Sequence, residues 1–309
     1  MSSHQPGGGI LISGAGGFIG RALATHLDGR GLPVATVGTR RDVRAEHWTV
    51  APGHWSVATW GKALDHFRPG TVFHLAGATQ GTPEGLQAVN LGLAQALFAA
   101  LRRTGLRPTV ILAGSAAEYG EAVVDGVPVR EDAPCAPLTA YGRSKLAQTR
   151  AALTFAAETG IRVLVARIFN PIGRGLPGHL ALGDFARQID AFGAGGGTLV
   201  TGDIEVCRDM LLVEDVAWAL AELAANPAAS GVVNLCTGVP TRIGDLLEGM
   251  ILASGKPITI AHDPARLRRG ERRVIVGSPD ALAALGAKPP RRDLRQAAGT
   301  MLTAPLRAA

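Results

Sequence analysis

Three polar residues have the types and the order needed for proton transfer to a substrate oxygen. Tyr141 and Lys145 are four positions apart at the start of a predicted helix, so their side chains share one face. A phenol has an ordinary pKa of about 10, and a nearby ammonium stabilises the phenolate. Tyr141 could therefore exchange a proton with a carbinol oxygen, and Ser115, at the end of a predicted strand, could hold that oxygen by a hydrogen bond.

A glycine-rich segment near the N-terminus gives weight to this spacing, which by itself is common by chance. Residues 13–20 read SGAGGFIG and follow a short apolar run. Without Cβ atoms, Gly14, Gly17 and Gly20 let the backbone turn tightly and approach a pyrophosphate, which would face the amides that open the next helix. The segment predicts a dinucleotide site, although a plain strand–turn–helix connection has the same composition.

The end of the second predicted strand favours NADP(H), with NAD(H) possible. A site for NAD usually places Asp or Glu at the strand end to hold the ribose hydroxyls, and none stands at 38–41, directly after the strand at 34–37. Arg40 and Arg41 stand there instead and could pair with a 2′-phosphate, or could simply project into solvent.

Short apolar runs alternate with helical patterns, which predicts an α/β fold with a doubly wound parallel sheet, the Rossmann fold, and a smaller C-terminal substrate-binding lobe. The ligand of such a sheet lies beyond the carboxyl ends of its strands. Strands are predicted at 10–12, 34–37, 71–75, 109–113, 161–166 and 232–235, and helices at 86–103, 141–159, 182–192, 242–254 and 280–285.

The predicted division places the dinucleotide-binding domain at 1–170, with a segment at about 206–240 returning to it. The ranges 171–205 and 241–309 form the predicted lobe. Residues 48–69 give no clean period, and the arginine-rich C-terminal segment is predicted to be a solvated helix or tail.

Composition limits the classes of partner. Of 309 residues, 47% are hydrophobic and 18% charged, which is typical of a globular protein. The net charge of +6 comes from scattered arginines, so we expect no nucleic acid. The three cysteines are far apart, which predicts neither a metal site nor disulfides, and no apolar run reaches membrane-spanning length. We expect a cytoplasmic protein.

Motifs along nearly the whole chain resemble those of extended short-chain dehydrogenases/reductases, the NAD-dependent epimerase/dehydratase family. The matching segments are SGAGGFIG, HLAG at 74–77, AGSAAEYG at 113–120, AYGRSK at 140–145, RIFNPIG at 167–173, CRDMLLVEDVA at 207–217 and VVNLCTG at 232–238. The resemblance implies a catalytic triad of Ser115, Tyr141 and Lys145, with Asn90 ordering the lysine through water. It implies that Asn170 and Arg208 contact a nucleotide-sugar diphosphate. The expected cofactor-binding residues are Gly14, Gly17, Phe18, Ile19, Gly20, Arg40, Arg41, Leu75, Ala76, Gly77, Tyr141, Lys145 and Ile168.

Residues 263–277, DPARLRRGERRVIVG, are similar to a segment of GDP-6-deoxy-4-keto-D-mannose reductases. By that likeness Arg268 reaches the distal phosphates of the substrate, with Arg266 as a less certain neighbour. A surface cluster in an arginine-rich chain is the alternative interpretation. The resemblance also implies a homodimer through the two long helices at 86–103 and 141–159.

Three reactions share this scaffold. Related dehydratases carry an acid two positions after the catalytic Ser or Thr, and this chain has Ala117 there; Glu118 is adjacent and should face the other way. The missing ribose anchor and Arg40–Arg41 favour a reductase of a nucleotide-linked 4-keto-6-deoxy sugar over a nucleotide-sugar 4-epimerase with tightly bound NAD. A non-catalytic cofactor sensor is a remote alternative, because such proteins typically lack the tyrosine or the lysine.

Overall fold

A seven-stranded parallel sheet organises the molecule. The computed structural model describes residues 8–39, 46–51, 53–266 and 272–302. The strands are β1 (Ile10–Ser13), β2 (Val34–Gly38), β3 (Glu46–Thr49), β4 (Thr71–His74), β5 (Thr109–Ser115), β6 (Val163–Ile168), β7 (Asn170–Ile172), β8 (Gly197–Thr201), β9 (Cys207–Leu212), β10 (Gly231–Leu235), β11 (Pro240–Arg242), β12 (Ile258–His262) and β13 (Val274–Ile275). The large sheet has the order β10-β6-β5-β4-β1-β2-β3.

Helices cover both faces of this sheet, as the near-continuous apolar strands require. The helices are α1 (Phe18–Gly29), α2 (Val57–Phe67), α3 (Pro83–Gln87), α4 (Leu93–Thr104), α5 (Ala140–Thr159), α6 (Ala181–Ala191), α7 (Val213–Ala225), α8 (Ile243–Ser254), α9 (Asp280–Ala284) and α10 (Leu294–Ala298). Helices α1 and α7 share one hydrophobic core with the sheet, and α2, α4 and α5 share the core on its other face. The predicted doubly wound Rossmann fold is therefore confirmed.

A separate core lies under α6 and α8 in the C-terminal part of the chain. Two small sheets belong to this region: β9 pairs with β7, β11 and β13, and β12 pairs with β8. Within the segment at 206–240, α7 and β10 join the large sheet, whereas β9 belongs to a small one. The second region is thus built from residues on both sides of β10 in the chain, with β7 following directly after β6.

Three local predictions need correction. The unassigned range 48–69 contains the end of β3 and all of α2, whose N-terminus is capped by Ser56 accepting from the Thr59 N–H. The helix predicted at 86–103 is α3 and α4 joined by a π-helical turn, Ala88–Gly92. The arginine-rich C-terminal segment is not simply solvated, because α10 packs on α8 and residues 298, 301 and 302 are buried in the third core.

Candidate active site

The predicted chemical residues meet at the carboxyl edge of the large sheet. The glycine loop follows β1, residues 75–77 follow β4, Ser115 ends β5 and Ile168 ends β6. Because these strands are parallel and neighbouring, their ends lie side by side, and Ser115 is directly in register with Ile168. The fold therefore assembles residues that are far apart in sequence.

The glycine loop is held by contacts that no side chain could tolerate. Gly14 has a φ of 77°, and a Cβ there would lie 2.5 Å from the backbone nitrogen of Ala76. A Cβ on Gly20 would lie 2.1 Å from the carbonyl oxygen of Gly14, so the first turn of α1 packs directly on the loop. Gly17 donates its N–H to that oxygen at 2.9 Å. A Cβ on Gly77 would lie 2.9 Å from Oδ1 of Asn90.

These features fit the diphosphate of a dinucleotide. Helix α1 begins at Phe18 after Gly17, and no side chain caps it, so the amides of Phe18, Ile19 and Gly20 open the helix beside a backbone without Cβ atoms. Amides in that position bind anions by hydrogen bonding and by the helix dipole. Arg40 and Arg41, predicted to hold a 2′-phosphate, lie outside the described residues.

Ser115 and Tyr141 are in direct contact. Thr139 caps α5 by accepting the Gly142 N–H at 3.0 Å, which fixes the first turn that carries Tyr141. A Cβ on Gly142 would lie 2.4 Å from the carbonyl oxygen of Ala117, so this turn presses on the segment after Ser115. The Ser115 hydroxyl faces the Tyr141 phenol. Burial raises the pKa of Tyr141 above its usual value, and the nearby Ser115 hydroxyl opposes this effect.

Lys145 is buried one turn further along α5. Its ammonium donates to Oε1 of Gln148 at 2.6 Å. Burial lowers the pKa of Lys145 to about 8, against the charge of Glu118, which raises it. His74 lies near Lys145, and its Nδ1 is 2.8 Å from Oγ of Ser13. Burial, with a smaller contribution from Lys145, lowers the pKa of His74 to about 3, so this imidazole is neutral.

Asn90 occupies the π-helical turn and is fully buried. Its amide joins two parts of the site: Oδ1 accepts the Ala78 N–H, and Nδ2 donates to the Ala78 carbonyl, each at 2.9 Å. The same Nδ2 donates to Oγ of Ser144 at 2.8 Å. Asn90 thus contacts the residue that precedes Lys145 and fixes the loop after β4, and π-helical turns of this kind are frequent at functional sites.

A buried ion pair beside Ser115 was not predicted. Oε2 of Glu118 accepts Nε–H of Arg167 at 3.0 Å, and the side chains are 0% and 6% exposed. Glu118 is therefore committed to a salt bridge and is not a free acid in place of Ala117. The sequence does contain a signal, because Arg167 is a lone charge within the apolar strand VLVARI and a buried charge requires a partner.

The residues expected to bind substrate lie at the second sheet. Nδ2 of Asn170 donates to the Asp209 carbonyl at 2.9 Å, which places it beside Arg208. The Arg208 guanidinium donates to the carbonyls of Cys207 and Arg272, at 2.8 and 3.0 Å. Arg266 is paired with Asp184 at 3.0 Å in the C-terminal region, and Arg268 lies outside the described residues. Asn170 and Arg208 are thus adjacent, and Arg266 is engaged elsewhere.

Among the described residues, no group of three or more His, Cys, Asp or Glu side chains could hold a metal ion. No helix in the same ranges is both long and apolar enough to cross a membrane.

Comparison with known proteins agrees with this geometry. A family model described as the NAD dependent epimerase/dehydratase family matches residues 10–236. The chain is 32% identical to a GDP-6-deoxy-D-mannose reductase of Pseudomonas aeruginosa, over 87% of this chain and 88% of that protein. It is 33% identical to a dTDP-6-deoxy-L-talose 4-dehydrogenase (NAD(P)(+)) of Kitasatospora kifunensis, over 83% and 82%.

Solved structures show the same likeness. The structure of RMD from Pseudomonas aeruginosa complexed with NADPH superposes with a TM-score of 0.80 at 28% identity, covering 96% of this chain and 98% of that one. UDP-glucose 4-epimerases are also among the relatives, for example that of Streptomyces lividans at 28% identity over 93% of each chain. The chain belongs to the NAD dependent epimerase/dehydratase family and is an NAD(P)-dependent enzyme of the oxidoreductase type.

Proposed function

We propose that this protein reduces a nucleotide-linked 4-keto-6-deoxy sugar with NADPH. The observation that carries the proposal is that Ser115 and Tyr141 face each other at the sheet edge, beside the glycine cradle. Similarity to a GDP-6-deoxy-D-mannose reductase and to a dTDP-6-deoxy-L-talose 4-dehydrogenase supports a nucleotide sugar as the substrate and position 4 as the reacting carbon.

NADPH is favoured on two grounds. No acidic residue stands directly after β2, at positions 39–41, where a site for NAD usually has one, and Arg40 and Arg41 stand there. The similar structure from Pseudomonas aeruginosa is complexed with NADPH. Gly14, Gly17 and Gly20 would hold the diphosphate, with Phe18 and Ile19 supplying amides at the start of α1.

When bound, NADPH supplies the hydride that reaches the carbonyl carbon of the sugar. Ser115 donates a hydrogen bond to the carbonyl oxygen, and Tyr141 gives it the phenolic proton, so the products are an alcohol and a phenolate. Since burial keeps Tyr141 protonated, the phenol is in the correct form to act as the acid. Lys145, still largely charged at pH 7 with a pKa of about 8, stabilises the phenolate that results.

Asn170 and Arg208 would receive the diphosphate of the substrate. They lie on the neighbouring strands β7 and β9, where Asn170 pairs with Met210, two positions from Arg208. Ligands of doubly wound sheets bind beyond the carboxyl edge of the large sheet, where these strands follow. A guanidinium binds phosphate oxygens in bidentate fashion. Arg268 is proposed as a further phosphate contact, from the sequence alone.

The test is an assay of NADPH oxidation, followed by the absorbance of reduced nicotinamide, with GDP- and dTDP-linked 4-keto-6-deoxy sugars. We expect turnover with at least one of them and faster turnover with NADPH than with NADH. NAD released from the denatured, freshly purified protein, together with interconversion of UDP-glucose and UDP-galactose, would instead identify a 4-epimerase. Cofactor binding without turnover of any substrate would favour a sensor.

We also propose a homodimer through α4 and α5, which lie together on one face of the sheet. The rings of Phe98 and Phe155 stack at 4.5 Å between these helices, and Arg102 lies over the Phe155 ring. Leu153, on α5, is 38% exposed and is available for contact with a second copy. Light scattering during size-exclusion chromatography will give the mass, and a monomer would contradict the proposal.

A further inference from the structure

A buried carboxylate stands directly behind Ser115 and takes no part in the proton transfer proposed above. Glu118 has no solvent exposure. Its Oε1 accepts the backbone N–H of Ser115 at 2.9 Å, and its Oε2 accepts Nε–H of Arg167 at 3.0 Å. Glu118 therefore joins the last residue of β5 to β6, the neighbouring strand of the sheet.

This contact fixes the orientation of the serine. Ser115 caps the 3₁₀ turn Ala116–Glu118, and its Oγ accepts the Ala117 N–H at 3.2 Å. Glu118 accepts the Ser115 N–H in return, so both the backbone and the hydroxyl of Ser115 are held by this capping box. The capping box therefore keeps the hydroxyl on the side where it faces the Tyr141 phenol.

Arg167 holds the carboxylate in place from the other side. Its guanidinium donates to the Glu131 carbonyl at 3.2 Å and lies 4.6 Å from the centre of the Tyr119 ring. A Cβ on Gly114 would lie 3.0 Å from Oε1 of Glu118, so a glycine at this position gives the carboxylate its room. Because a buried ion pair costs desolvation energy that an apolar pair avoids, its presence here suggests a role beyond stability.

The charges of this pair also act on the proton donor. The carboxylate of Glu118 raises the pKa of both Tyr141 and Lys145, adding to burial for the phenol and opposing it for the ammonium. Arg167 stands on the far side of Glu118 and carries the opposite charge. Within the described ranges, Tyr119 and Cys135 also face Arg167, and Cys135 is near Glu118 as well. His74 faces Lys145 and is neutral.

We propose that Glu118, braced by Arg167, is a positioning residue that orients the Ser115 hydroxyl toward Tyr141 and places a buried negative charge behind this pair. The inference rests on the proposed function only in taking Tyr141 as the proton donor. Its main test is therefore made without any substrate.

The chain has two tyrosines, so the ionisation of Tyr141 can be read directly. Burial raises the pKa of Tyr119 to about 12, and that phenol donates to Asn234. Phenolate absorbance is recorded in the first milliseconds after rapid jumps to alkaline pH, before unfolding, and Tyr141→Phe identifies the signal of Tyr141. In Glu118→Gln, we expect this ionisation to move down by about one pH unit, because the amide keeps the shape but removes the negative charge.

Two further variants sharpen the test. Arg167→Gln leaves Glu118 unpaired, and the ionisation of Tyr141 should move to higher pH. Glu131→Gln is the matched control: Glu131 also lies against Arg167, through its backbone, but its carboxylate accepts the Asn234 N–H and not that of Ser115. We expect it to leave the ionisation unchanged. An unmoved titration in Glu118→Gln, or an equal shift in Glu131→Gln, overturns the proposal.

Kinetics then separate this inference from the proposed function. With an active substrate, Glu118→Gln should lower kcat about ten-fold, leave the KM for NADPH unchanged and move the alkaline limb of the pH profile downward. If no keto sugar is reduced, the proposed function fails, while the phenol titration still decides the role of Glu118. A fall in kcat without a change in either pH dependence would show that Glu118 is merely structural.

Discussion

The proposed cofactor side of the site consists of the loops after β1 and β4, and the proposed substrate side consists of β7, β9 and the segments around Asp209. These two sides, called the cofactor side and the substrate side below, are held together by different kinds of contact. On the cofactor side, backbone meets backbone: the loop after β1 lies against the loop after β4, with Gly14 beside Ala76. On the substrate side, one carboxylate gathers separate segments. Asp209 accepts the N–H groups of Thr237, Gly238 and Gly277, and the Thr237 hydroxyl as well, at 2.7 to 3.1 Å.

This difference determines how each side responds to change. The cofactor side depends on the absence of atoms, so adding a methyl group damages it. The substrate side depends on the Asp209 carboxylate, whose two oxygens accept hydrogen bonds from four donors. Removing one oxygen therefore leaves buried donors unsatisfied. The Asp209 carbonyl also accepts from the side chain of Asn170, and Asp209 directly follows Arg208 in β9. The carboxylate is therefore linked to both proposed diphosphate contacts.

Tyr141 lies where the two sides meet, and its replacement should have the largest effect. Tyr141→Phe removes the proton donor and should lower kcat by about 10²–10⁴, the usual contribution of general acid catalysis. Since neither the glycine cradle nor the Asp209 cluster is touched, NADPH affinity and stability should change little. Steady-state kinetics, cofactor titration by fluorescence and urea unfolding measure the three quantities. A variant retaining a tenth or more of the activity would contradict the assigned role.

Asp209→Asn should break the substrate side alone. The amide nitrogen cannot accept from the donors at Gly238 and Gly277, so we expect a loss of about 2–4 kcal/mol in the free energy of unfolding. At a temperature where the variant is folded, KM for the nucleotide sugar should rise while NADPH affinity stays near that of the wild type. Urea unfolding and the two titrations test this.

Asp245→Asn is the control for that substitution. Asp245 is 51% exposed and pairs with Arg242 at 2.9 Å, and surface ion pairs contribute about 0–1 kcal/mol. We expect almost no change in stability or KM. If the two variants behave alike, the Asp209 cluster has no special part in holding the substrate side.

The sequence predicts the cofactor side well because its determinants are local. The run SGAGGFIG contains both the strand end and the first turn of α1, and Tyr141 and Lys145 are spaced within one helix. The main strands and the long helices follow from apolar runs of the correct length. What the pattern omits is the interruption of regular periods: the π-helical turn at Asn90, and the aromatic-rich range that forms β3 and α2.

The substrate side was predicted less completely because its contacts join distant residues. Asp209 meets Thr237 and Gly277, and Arg167 meets Glu118; neither pairing has a fixed spacing in the sequence. Arginines illustrate the difficulty. The sequence does not distinguish an arginine that binds phosphate from one that forms an ion pair, and Arg266 donates a hydrogen bond to Asp184. The C-terminal segment likewise has a polar sequence but buries Met301 and Leu302 against α8.

Gly20→Ala should damage the cofactor side alone, in contrast to Asp209→Asn. The new methyl would lie 2.1 Å from the Gly14 carbonyl oxygen, so helix α1 must move away from the loop. Overpacking of this kind costs about 1–3 kcal/mol, which would appear as an affinity for NADPH about 5- to 150-fold weaker. Gly29→Ala, at the other end of α1 with no atom within 4 Å, should leave affinity intact. Equal effects of the two variants would mean that the cradle is not the cofactor site.

The smallest expected effect concerns His74, the buried residue that ends β4 and contacts Ser13 at the end of β1. Its pKa is lowered to about 3 in the folded protein from 6.5, chiefly by burial, so the unfolded chain takes up a proton first as the pH falls. The stability associated with neutral His74 is therefore complete above pH 6.5 and is lost progressively toward pH 3. Between pH 7.5 and 5.5 this loss should be about 1 kcal/mol. Urea unfolding of the wild type and of His74→Gln measures it, and only the wild type should show this part of the pH dependence.

The exposed residue His66 provides the matched control, because His66→Gln should keep the wild-type slope. The same slope in His74→Gln would show that the imidazole already accepts a proton in the folded state. That result would contradict a neutral His74 near Lys145.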